Sequence, residues 1–428
     1  MLAGGAAHAQ GTAPALKVDS GDTAWVLMSA ALVLLMTVGL AFFYGGLVRK
    51  KNVLSILVQC FLLMGLISVQ WVVLGYSLSF GPDNWHLIGG FNWFGLRGVG
   101  MTPYPGYSST IPHQAFMIFQ AMFAIITPGL IIGAFAERFK FSAFCFFMLA
   151  WSFLVYDPVC HWVWGVGGFL KNMGVLDFAG GTVVHINAGI AALVCAIVLG
   201  KRVGYPDRAM PPHNLPFVLL GAGLLWFGWF GFNAGSALAA NGLAASAFVA
   251  TNTAGAAAVL TWAAFEWANG AGKPTMLGMA TGAIAGLAAV TPAAGYITVL
   301  PALAIGVASS VICYLMVAYV KPKFGYDDTL DAFGVHGIGG VLGTLATGLF
   351  ASKAVNAAGA NGLFNGNPMQ FIIQLKATVI ILAYSFVLTF ILLKVTGLLF
   401  GGLRVSPGEE KIGLDLTQHH ESGYTVLD

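Results

Sequence analysis

Two histidines lie inside long apolar stretches of this 428-residue chain, and an aspartate precedes each of them. The stretches run from Asp177 to His185 and from Asp331 to His336. An ionisable side chain at bilayer depth is costly, so it usually faces a cavity or a polar partner rather than lipid. Imidazole can donate, accept or relay a proton near neutral pH. The pair therefore indicates a polar element inside an apolar conduit, which favours a transport function.

Three interpretations of the histidine pair are open at this point. Each histidine could be a separate interior residue that is hydrogen-bonded to a neighbouring helix. The two could instead ligate a metal or a haem, because imidazole is a common ligand, but no second histidine pair or adjacent thiolate supports this. In the third interpretation they are a hydrogen-bonded pair that lines a narrow route and relays a proton. The five cysteines have no CxxC spacing, so we expect no metal and no cofactor.

Aromatic and hydroxyl side chains near the ends of other apolar stretches form a second candidate site. Phe119 and Phe123 are four residues apart, on one face of a helix. Trp229 and Phe232 are followed closely by Ser236. A single ring is explained by core packing or by the aromatic belt of membrane proteins. Where rings and a hydroxyl converge, the ring faces attract positive charge and the hydroxyl accepts a hydrogen bond, which predicts an entrance for a small cation.

The two aspartates are predicted to be helix N-caps. Asp177 and Asp331 each precede a histidine-bearing stretch, where a carboxylate can accept hydrogen bonds from the free amides of the first turn, worth roughly 1 kcal/mol. Asp177 lies on the predicted outer side, where its negative charge would also favour a cation at the mouth of the conduit.

The composition is that of an integral membrane protein. Hydrophobic residues make up 58% of the chain and charged residues only 8%, whereas soluble proteins carry roughly 25% charged residues. No basic patch with interleaved aromatic residues is present, so nucleic-acid binding is not expected. No phosphate-binding loop follows a strand, so nucleotide-driven pumping is not expected either. Residues 1–10 resemble the end of a secretory signal, and we interpret them as a signal-peptide remnant.

The hydropathy pattern predicts an all-α polytopic protein with eleven transmembrane helices, since a span needs roughly 20 apolar residues. The predicted spans lie near residues 24–44, 53–78, 114–135, 142–160, 181–200, 215–237, 244–267, 276–294, 298–320, 333–351 and 370–397. Fourteen of the nineteen basic residues then fall on one side and four on the other, if the N-terminus is outside. The positive-inside rule therefore predicts an N-out, C-in chain. We expect this chain in the plasma (inner) membrane.

The spans are predicted to form two repeats of five helices each. Because five is odd, the second repeat must cross the membrane in the opposite direction, which makes the pair an inverted repeat. The transporter domain, residues 22–400, would consist of one repeat over about 22–200, a second over about 213–352 and an extra helix at about 370–397, with a cytoplasmic tail at 401–428. The aspartate–histidine pattern opens the fifth and the tenth span. Transporters of this kind place their pathway at the repeat interface, near the midplane of the bilayer. The two histidines are therefore predicted to meet there.

Four stretches of the chain together carry a specific family resemblance. They are AFFYGGLVRKKN at 41–52, DFAGGTVVHIN at 177–187, WFGFNAGS at 229–236 and DAFGVHG at 331–337. With them, the chain resembles the ammonium transporter family (Amt/Mep, relatives of the Rh proteins) from about residue 22 into the C-terminal tail. Trp164 and Ser236 favour the bacterial Amt branch over the Rh proteins.

The resemblance implies a role for each matching position. It implies an outer ammonium-recruitment site made by Trp164, Ser236, Phe123 and Asp177, a stacked gate of Phe123 and Phe232, and a hydrophobic pore with the twin histidines His185 and His336. Phe119, Trp229 and Asp331 are the expected supporting residues. No residue is expected to be catalytic, because the family transports rather than converts its substrate.

The resemblance also implies partners. They are ammonium and ammonia, with methylammonium as a further candidate substrate, two other copies of the chain in a homotrimer, and a PII-type signal protein at the cytoplasmic face. The mechanism expected from the residues is recruitment of the cation, deprotonation near the phenylalanines and passage of ammonia. An ammonium sensor that signals through its tail is the alternative within the family, and a haem or metal conduit is the alternative outside it.

Overall fold

Helices make up most of this protein in the computed structural model, which describes residues 16–269 and 272–424. The apolar helices of these ranges are α1 Ser20–Leu47, α2 Lys50–Phe80, α3 His113–Phe135, α4 Phe141–Met173, α5 Gly181–Leu199, α6 Leu215–Ala237, α7 Gly242–Asn269, α8 Met276–Val290, α9 Val299–Phe324, α10 Phe333–Phe350 and α11 Pro368–Leu399. The all-α prediction is confirmed, and every predicted span corresponds to one of these helices. The predicted signal remnant, residues 1–10, lies outside the described residues.

Helix α8 is shorter than the sequence predicts. Ten of the apolar helices are long enough to cross a membrane, whereas α8 ends at Val290 instead of continuing to residue 294. The chain turns at the following Thr291–Pro292, where Pro292 has no amide hydrogen to continue the hydrogen-bond pattern of the helix.

Polar residues begin several of these helices by accepting hydrogen bonds from free amides of the first turn. Asp19 Oδ1 accepts from the amide of Asp22 at the start of α1, at 2.9 Å. Asn214 Oδ1 accepts from Phe217 at the start of α6, at 3.0 Å. Thr275 Oγ1 accepts from Gly278 at the start of α8, at 2.9 Å. These capping residues determine at which residue each of the three helices begins.

Glycines bring α5 and α10 into close contact beside the histidines. A Cβ atom added to Gly189 of α5 would lie 2.2 Å from the backbone of Gly337 in α10. A Cβ atom added to Gly340 of α10 would lie 2.8 Å from Cβ of His185. Small residues allow helices to approach this closely in a membrane. The crossing places the N-terminal halves of the two helices side by side.

The histidine-bearing turns of α5 and α10 are both wider than an α-helix. Residues Gly181–Ile186 and Phe333–Gly337 form π-helical turns, and each contains one of the histidines. Such turns often occur at functional sites. Shared local geometry thus accompanies the two histidines, although the inverted repeat as a whole stays a prediction.

Short elements connect and follow the long helices. A two-stranded antiparallel sheet, β1 Asp83–Asn84 and β2 Ile88–Gly89, follows α2, and 3₁₀ turns lie at Phe91–Leu96 and Leu363–Asn365. The tail forms α12 Pro407–Ile412 and α13 Leu414–His419.

The tail packs against the ends of the preceding helices. Asp415 Oδ1 accepts from the amide of Ser55 at 2.8 Å, and Glu410 Oε1 accepts from the amide of Val203 at 2.6 Å. These contacts hold the tail against the N-terminal end of α2 and the segment between α5 and α6.

Candidate functional site

His185 and His336 lie in direct contact at the crossing of α5 and α10. Their Nδ1 atoms are 3.3 Å apart, and their rings are nearly parallel, at 12° with 5.3 Å between centroids. Both side chains are buried. A hydrogen bond between two Nδ1 atoms needs a proton on one of them and a lone pair on the other. The structure therefore brings together the two histidines that the sequence predicts to meet.

A tryptophan and a phenylalanine cover one side of His185. The Trp229 ring lies 5.6 Å from the His185 ring at 22°, and the Phe232 ring lies 6.1 Å away at 25°. Trp229 Nε1 donates to Thr291 Oγ1 at 2.9 Å, which fixes the indole. The supporting role expected for Trp229 thus has a geometric basis, because the indole restricts how His185 can turn.

A narrow cavity of about 10 Å³ runs along the histidine pair, and we call it the pore cavity. His185 and His336 are the ionisable residues among those that line it. The other lining residues are Met36, Leu40, Phe43, Ile126, Leu130, Val184, Leu225, Trp229, Phe232 and Ile284. Within the described chain, Nε2 of His185 has no hydrogen-bond partner. The surroundings of the pair are therefore almost wholly apolar.

Phe232, which lines the pore cavity, packs against Phe123. Their ring centroids are 4.4 Å apart at an interplanar angle of 43°, and both side chains are buried. The predicted stacking is therefore a tilted contact. Phe119 packs its edge against Phe123, at 5.0 Å and 77°, and supports that ring from the side.

A second cavity, of about 160 Å³, lies beyond the phenylalanines, and we call it the outer cavity after the predicted orientation. Trp164, Phe123, Ser236 and Asp177 all line it. The Trp164 ring meets the Phe123 ring at 86°, with 5.7 Å between centroids. Ser236 Oγ donates to the carbonyl of Phe232 at 2.8 Å, which leaves the lone pairs of its hydroxyl oxygen free to accept. All four residues predicted for recruitment thus surround one space.

Asp177 directs its carboxylate toward the backbone at the start of α5. Oδ1 accepts from the amides of Gly180 at 2.7 Å and Gly181 at 2.8 Å, and Oδ2 accepts from the amide and the hydroxyl of Thr182. The Asp177 carbonyl accepts from Trp164 Nε1 at 2.9 Å. Asp177 therefore holds both the first turn of α5 and the indole of the outer cavity, as its predicted capping role requires.

The predicted capping role of Asp331 is wrong, and Asp328 takes that role. Asp328 accepts from the amides of Ala332 at 3.1 Å and Phe333 at 2.8 Å. Asp331 lies at φ +61° and pairs with Lys321 Nζ at 2.6 Å. The turn before α10 points the Asp331 carboxylate toward Lys321 instead of toward the free amides.

With Asp328 as the cap, the two histidine-bearing segments also have the same spacing, whereas Asp331 lies only five positions before His336. Eight residues separate Asp177 from His185, and eight also separate Asp328 from His336. In both segments the aspartate accepts from the amides four and five residues later. Equal spacing to the histidines was the sequence signal that would have found Asp328.

A third cavity, of about 360 Å³, lies on the other side of the histidines, and we call it the inner cavity. His336 lines both this cavity and the pore cavity. Glu266, Trp262 and Asp331 also line it. The pore cavity therefore meets the inner cavity at His336, which lines both. The contact between Phe232, which lines the pore cavity, and Phe123, which lines the outer cavity, separates these two cavities.

The sequence reasoning missed several polar residues of these cavities, and three of them carry a charge or an amide. Gln120 and Lys171 line the outer cavity, and Glu266 lines the inner one. Gln120 lies three residues before Phe123, on the same helical face, which was a usable signal. Its Oε1 atom is buried without a hydrogen-bond partner in the part of the chain that the structure describes.

A metal centre receives no support from the described residues. Within 16–269 and 272–424, no group of three or more His, Cys, Asp or Glu side chains is placed to hold a metal ion.

Comparison with known proteins gives one family. A sequence model described as the Ammonium Transporter Family matches residues 24–424. An ammonium transporter of Bacillus subtilis (strain 168) is 52% identical over 407 residues, which cover 95% of this chain and 99% of that protein. The crystal structure of Saccharomyces cerevisiae Mep2 superposes with a TM-score of 0.86 at 36% identity, covering 92% of this chain and 89% of that one. A solved structure described as a sensor Amt protein superposes at 0.85 with 30% identity, over 93% of this chain and 98% of that one.

Proposed function

Because the chain belongs to the ammonium transporter family, we propose that it recruits ammonium in the outer cavity and conducts neutral ammonia past His185 and His336. The observation that carries the proposal is the succession of the outer, pore and inner cavities, which adjoin at the Phe123–Phe232 contact and at His336, with a cation-binding type of chamber at one end. The aromatic rings and the Ser236 hydroxyl suit a small cation that donates hydrogen bonds.

The pore cavity argues that the cation loses its proton before it passes. Moving a bare cation into apolar surroundings costs far more than moving a neutral molecule. Ammonium can release a proton and cross as ammonia, whereas potassium has the same charge and a similar size but cannot. Deprotonation near Phe123 and Phe232 therefore explains how one pathway could accept ammonium and exclude potassium.

The histidine pair offers the one polar path through the pore cavity. The two Nδ1 atoms share a hydrogen bond, so a proton arriving on one ring can move to the other. A proton that follows this path makes transport electrogenic, and one that returns outside makes it electroneutral. We propose the electrogenic route, since the Nδ1 atoms of the two rings are in direct contact and the rest of the pore cavity is apolar.

The assembly and location follow from the family in the same way. We propose a homotrimer in the plasma membrane, with its N-terminus outside and with the tail helices α12 and α13 as the surface for a PII-type signal protein. The packing of the tail on α2 supports this surface, because a partner bound there would touch the helix ends directly.

The decisive experiment measures ammonium-driven current in proteoliposomes. We expect His185→Leu combined with His336→Leu to abolish the current, because the double substitution removes the polar path. His86→Leu is the matched control, since that side chain is 62% exposed on the segment between β1 and β2. Undiminished current in the double variant would contradict the proton path. Potassium that permeates as well as ammonium would contradict deprotonation.

The same assay separates transport from sensing. A protein whose main task is to sense ammonium would carry little flux even when it is correctly folded. Robust wild-type current would therefore argue against the sensor alternative.

A further inference from the structure

Lys171 places a fixed positive charge at the rim of the outer cavity. It lines this cavity together with Trp164 and Ser236. Its Nζ donates to the carbonyl of Trp164 at 2.9 Å and lies 5.7 Å from the centroid of the Tyr107 ring. A cation is unexpected here, because the chamber is proposed to collect cations.

The contacts of Lys171 are those that a bound ammonium ion would seek. The lysine head group is a primary ammonium, and it holds a carbonyl acceptor and the face of an aromatic ring. Ammonium carries the same charge and the same kind of N–H donor. The side chain therefore competes with the substrate both by charge and by occupying an acceptor.

None of the carboxylates that the structure describes neutralises this charge directly. Among the described residues, none of the acidic side chains forms an ion pair with Lys171. Asp177 lines the same cavity, but its carboxylate oxygens accept from the backbone and hydroxyl groups at the start of α5. The positive charge of Lys171 thus acts on the chamber with little compensation.

We propose that Lys171 sets the affinity of the outer cavity by repelling ammonium and competing for its acceptor. This inference rests on the proposed function, since it assigns an affinity-determining residue to the same recruitment chamber. A weaker chamber releases its cation more readily toward the phenylalanine pair, so Lys171 favours turnover at high ammonium over capture at low ammonium. A charge at this range, partly exposed to water, changes an affinity by about three- to tenfold.

The test is a charge series at position 171, with the apparent KM and the maximal current measured against external ammonium in proteoliposomes. We expect Lys171→Arg to keep the wild-type KM, Lys171→Gln to lower it about threefold and Lys171→Glu to lower it about tenfold. High ionic strength from an impermeant salt should shrink these differences, because salt screens exposed charges.

Two matched controls define the outcome. Lys353→Gln and Lys353→Glu change an exposed lysine on the predicted outer side that does not line the cavity, and they should leave KM unchanged. Lys171→Met removes both the charge and any donor to the Trp164 carbonyl, so it should lower KM at least as much as Lys171→Gln.

Two results would overturn the inference while leaving the proposed function intact. One is a KM that stays constant from Arg through Glu in variants that still transport. The other is a KM that rises in Lys171→Met but not in Lys171→Gln, which would assign Lys171 the structural role of holding Trp164. Wild-type protein that carries no ammonium would instead overturn the proposed function and this inference together.

Discussion

The two histidine-bearing segments share their internal geometry but differ in the charges at their mouths. In both, an aspartate eight residues before the histidine accepts from the amides of a π-helical turn. At the outer cavity, Lys171 contacts a backbone carbonyl. At the inner cavity, Lys321 pairs with the carboxylate of Asp331. The aspartate caps and π-helical turns that both segments share position the histidines. The different pairing of the two lysines can set how strongly each cavity attracts or repels a cation.

The histidines themselves are also unequal. His185 is covered by Trp229 and Phe232 and lines only the pore cavity, whereas His336 also borders the larger inner cavity. A proton on His336 is therefore closer to a polar space than a proton on His185. The two histidines are positioned alike but surrounded differently, so the two ends of the pair are not equivalent for a proton.

Substitution of the crossing glycines should have the largest effect, because it disturbs the geometry that the two segments share. Gly189→Ala would put a methyl group 2.2 Å from the backbone of Gly337, so α5 and α10 must separate. We expect ammonium current to be abolished. Gly340→Ala meets Cβ of His185 at 2.8 Å and the carbonyl of Gly181 at 2.9 Å, and a loss of about tenfold is expected.

The control for this prediction is Gly65→Ala in α2, where an added Cβ has nothing within 4 Å. Current and thermal stability should be unchanged there or slightly improved, since alanine favours helix over glycine. Gly189→Ala protein that conducts as well as Gly65→Ala would show that the crossing does not position the histidines.

Substitutions in the outer cavity should have intermediate effects, confined to recruitment. Trp164→Leu removes a ring and the donor to the Asp177 carbonyl, and we expect the apparent KM to rise about tenfold. Ser236→Ala removes one acceptor, and a rise of about threefold is expected. Maximal current should change less than KM does in both variants.

Trp85→Leu is the control for these variants, because that indole is 85% exposed on the segment between β1 and β2. A loss of maximal current at unchanged KM in Trp164→Leu would assign the indole to conduction. In that case the outer and inner cavities would differ less in how they bind a cation than their lining residues indicate.

The apolar helices could be predicted because bilayer thickness fixes the length of an apolar run. The meeting of His185 with His336 followed from the repeat, since equivalent helices of an inverted pair cross near its axis. The recruitment residues came from the family resemblance, and the cavity around them agrees with it.

The remaining features depend on backbone geometry that spacing alone does not encode. Asp331 is nearest in sequence to the helix start, but its positive φ points it away, and Asp328 reaches the amides. Pro292 shortens α8 although the residues around it are apolar. The direction of Lys171 depends on the interruption of α4 between Trp164 and Phe169, where the chain turns before the last helical turn, Phe169–Met173.

The smallest expected effect is a pH dependence of stability that belongs to the inner segment. Burial raises the pKa of Asp328 to about 6, the nearby Asp331 charge adds to this, and Lys321 opposes it. An unfolded aspartate titrates near pH 3.9, so between about pH 4 and 6 the folded protein holds a proton that the unfolded chain has released. The contribution of Asp328 to the free energy of unfolding is therefore fully present below about pH 4 and is lost as the pH rises through about 6.

Asparagine at position 328 does not titrate, so it isolates this contribution. We expect the melting temperature of Asp328→Asn, relative to wild type, to increase by roughly 2–4 °C between pH 4.5 and pH 7. Asp207→Asn, on an exposed loop, is the control and should follow the wild type. A constant difference between Asp328→Asn and wild type would mean that the inner aspartate stays ionised throughout this range. The asymmetry of the pathway would then rest on the two lysines and on the unequal surroundings of the histidines.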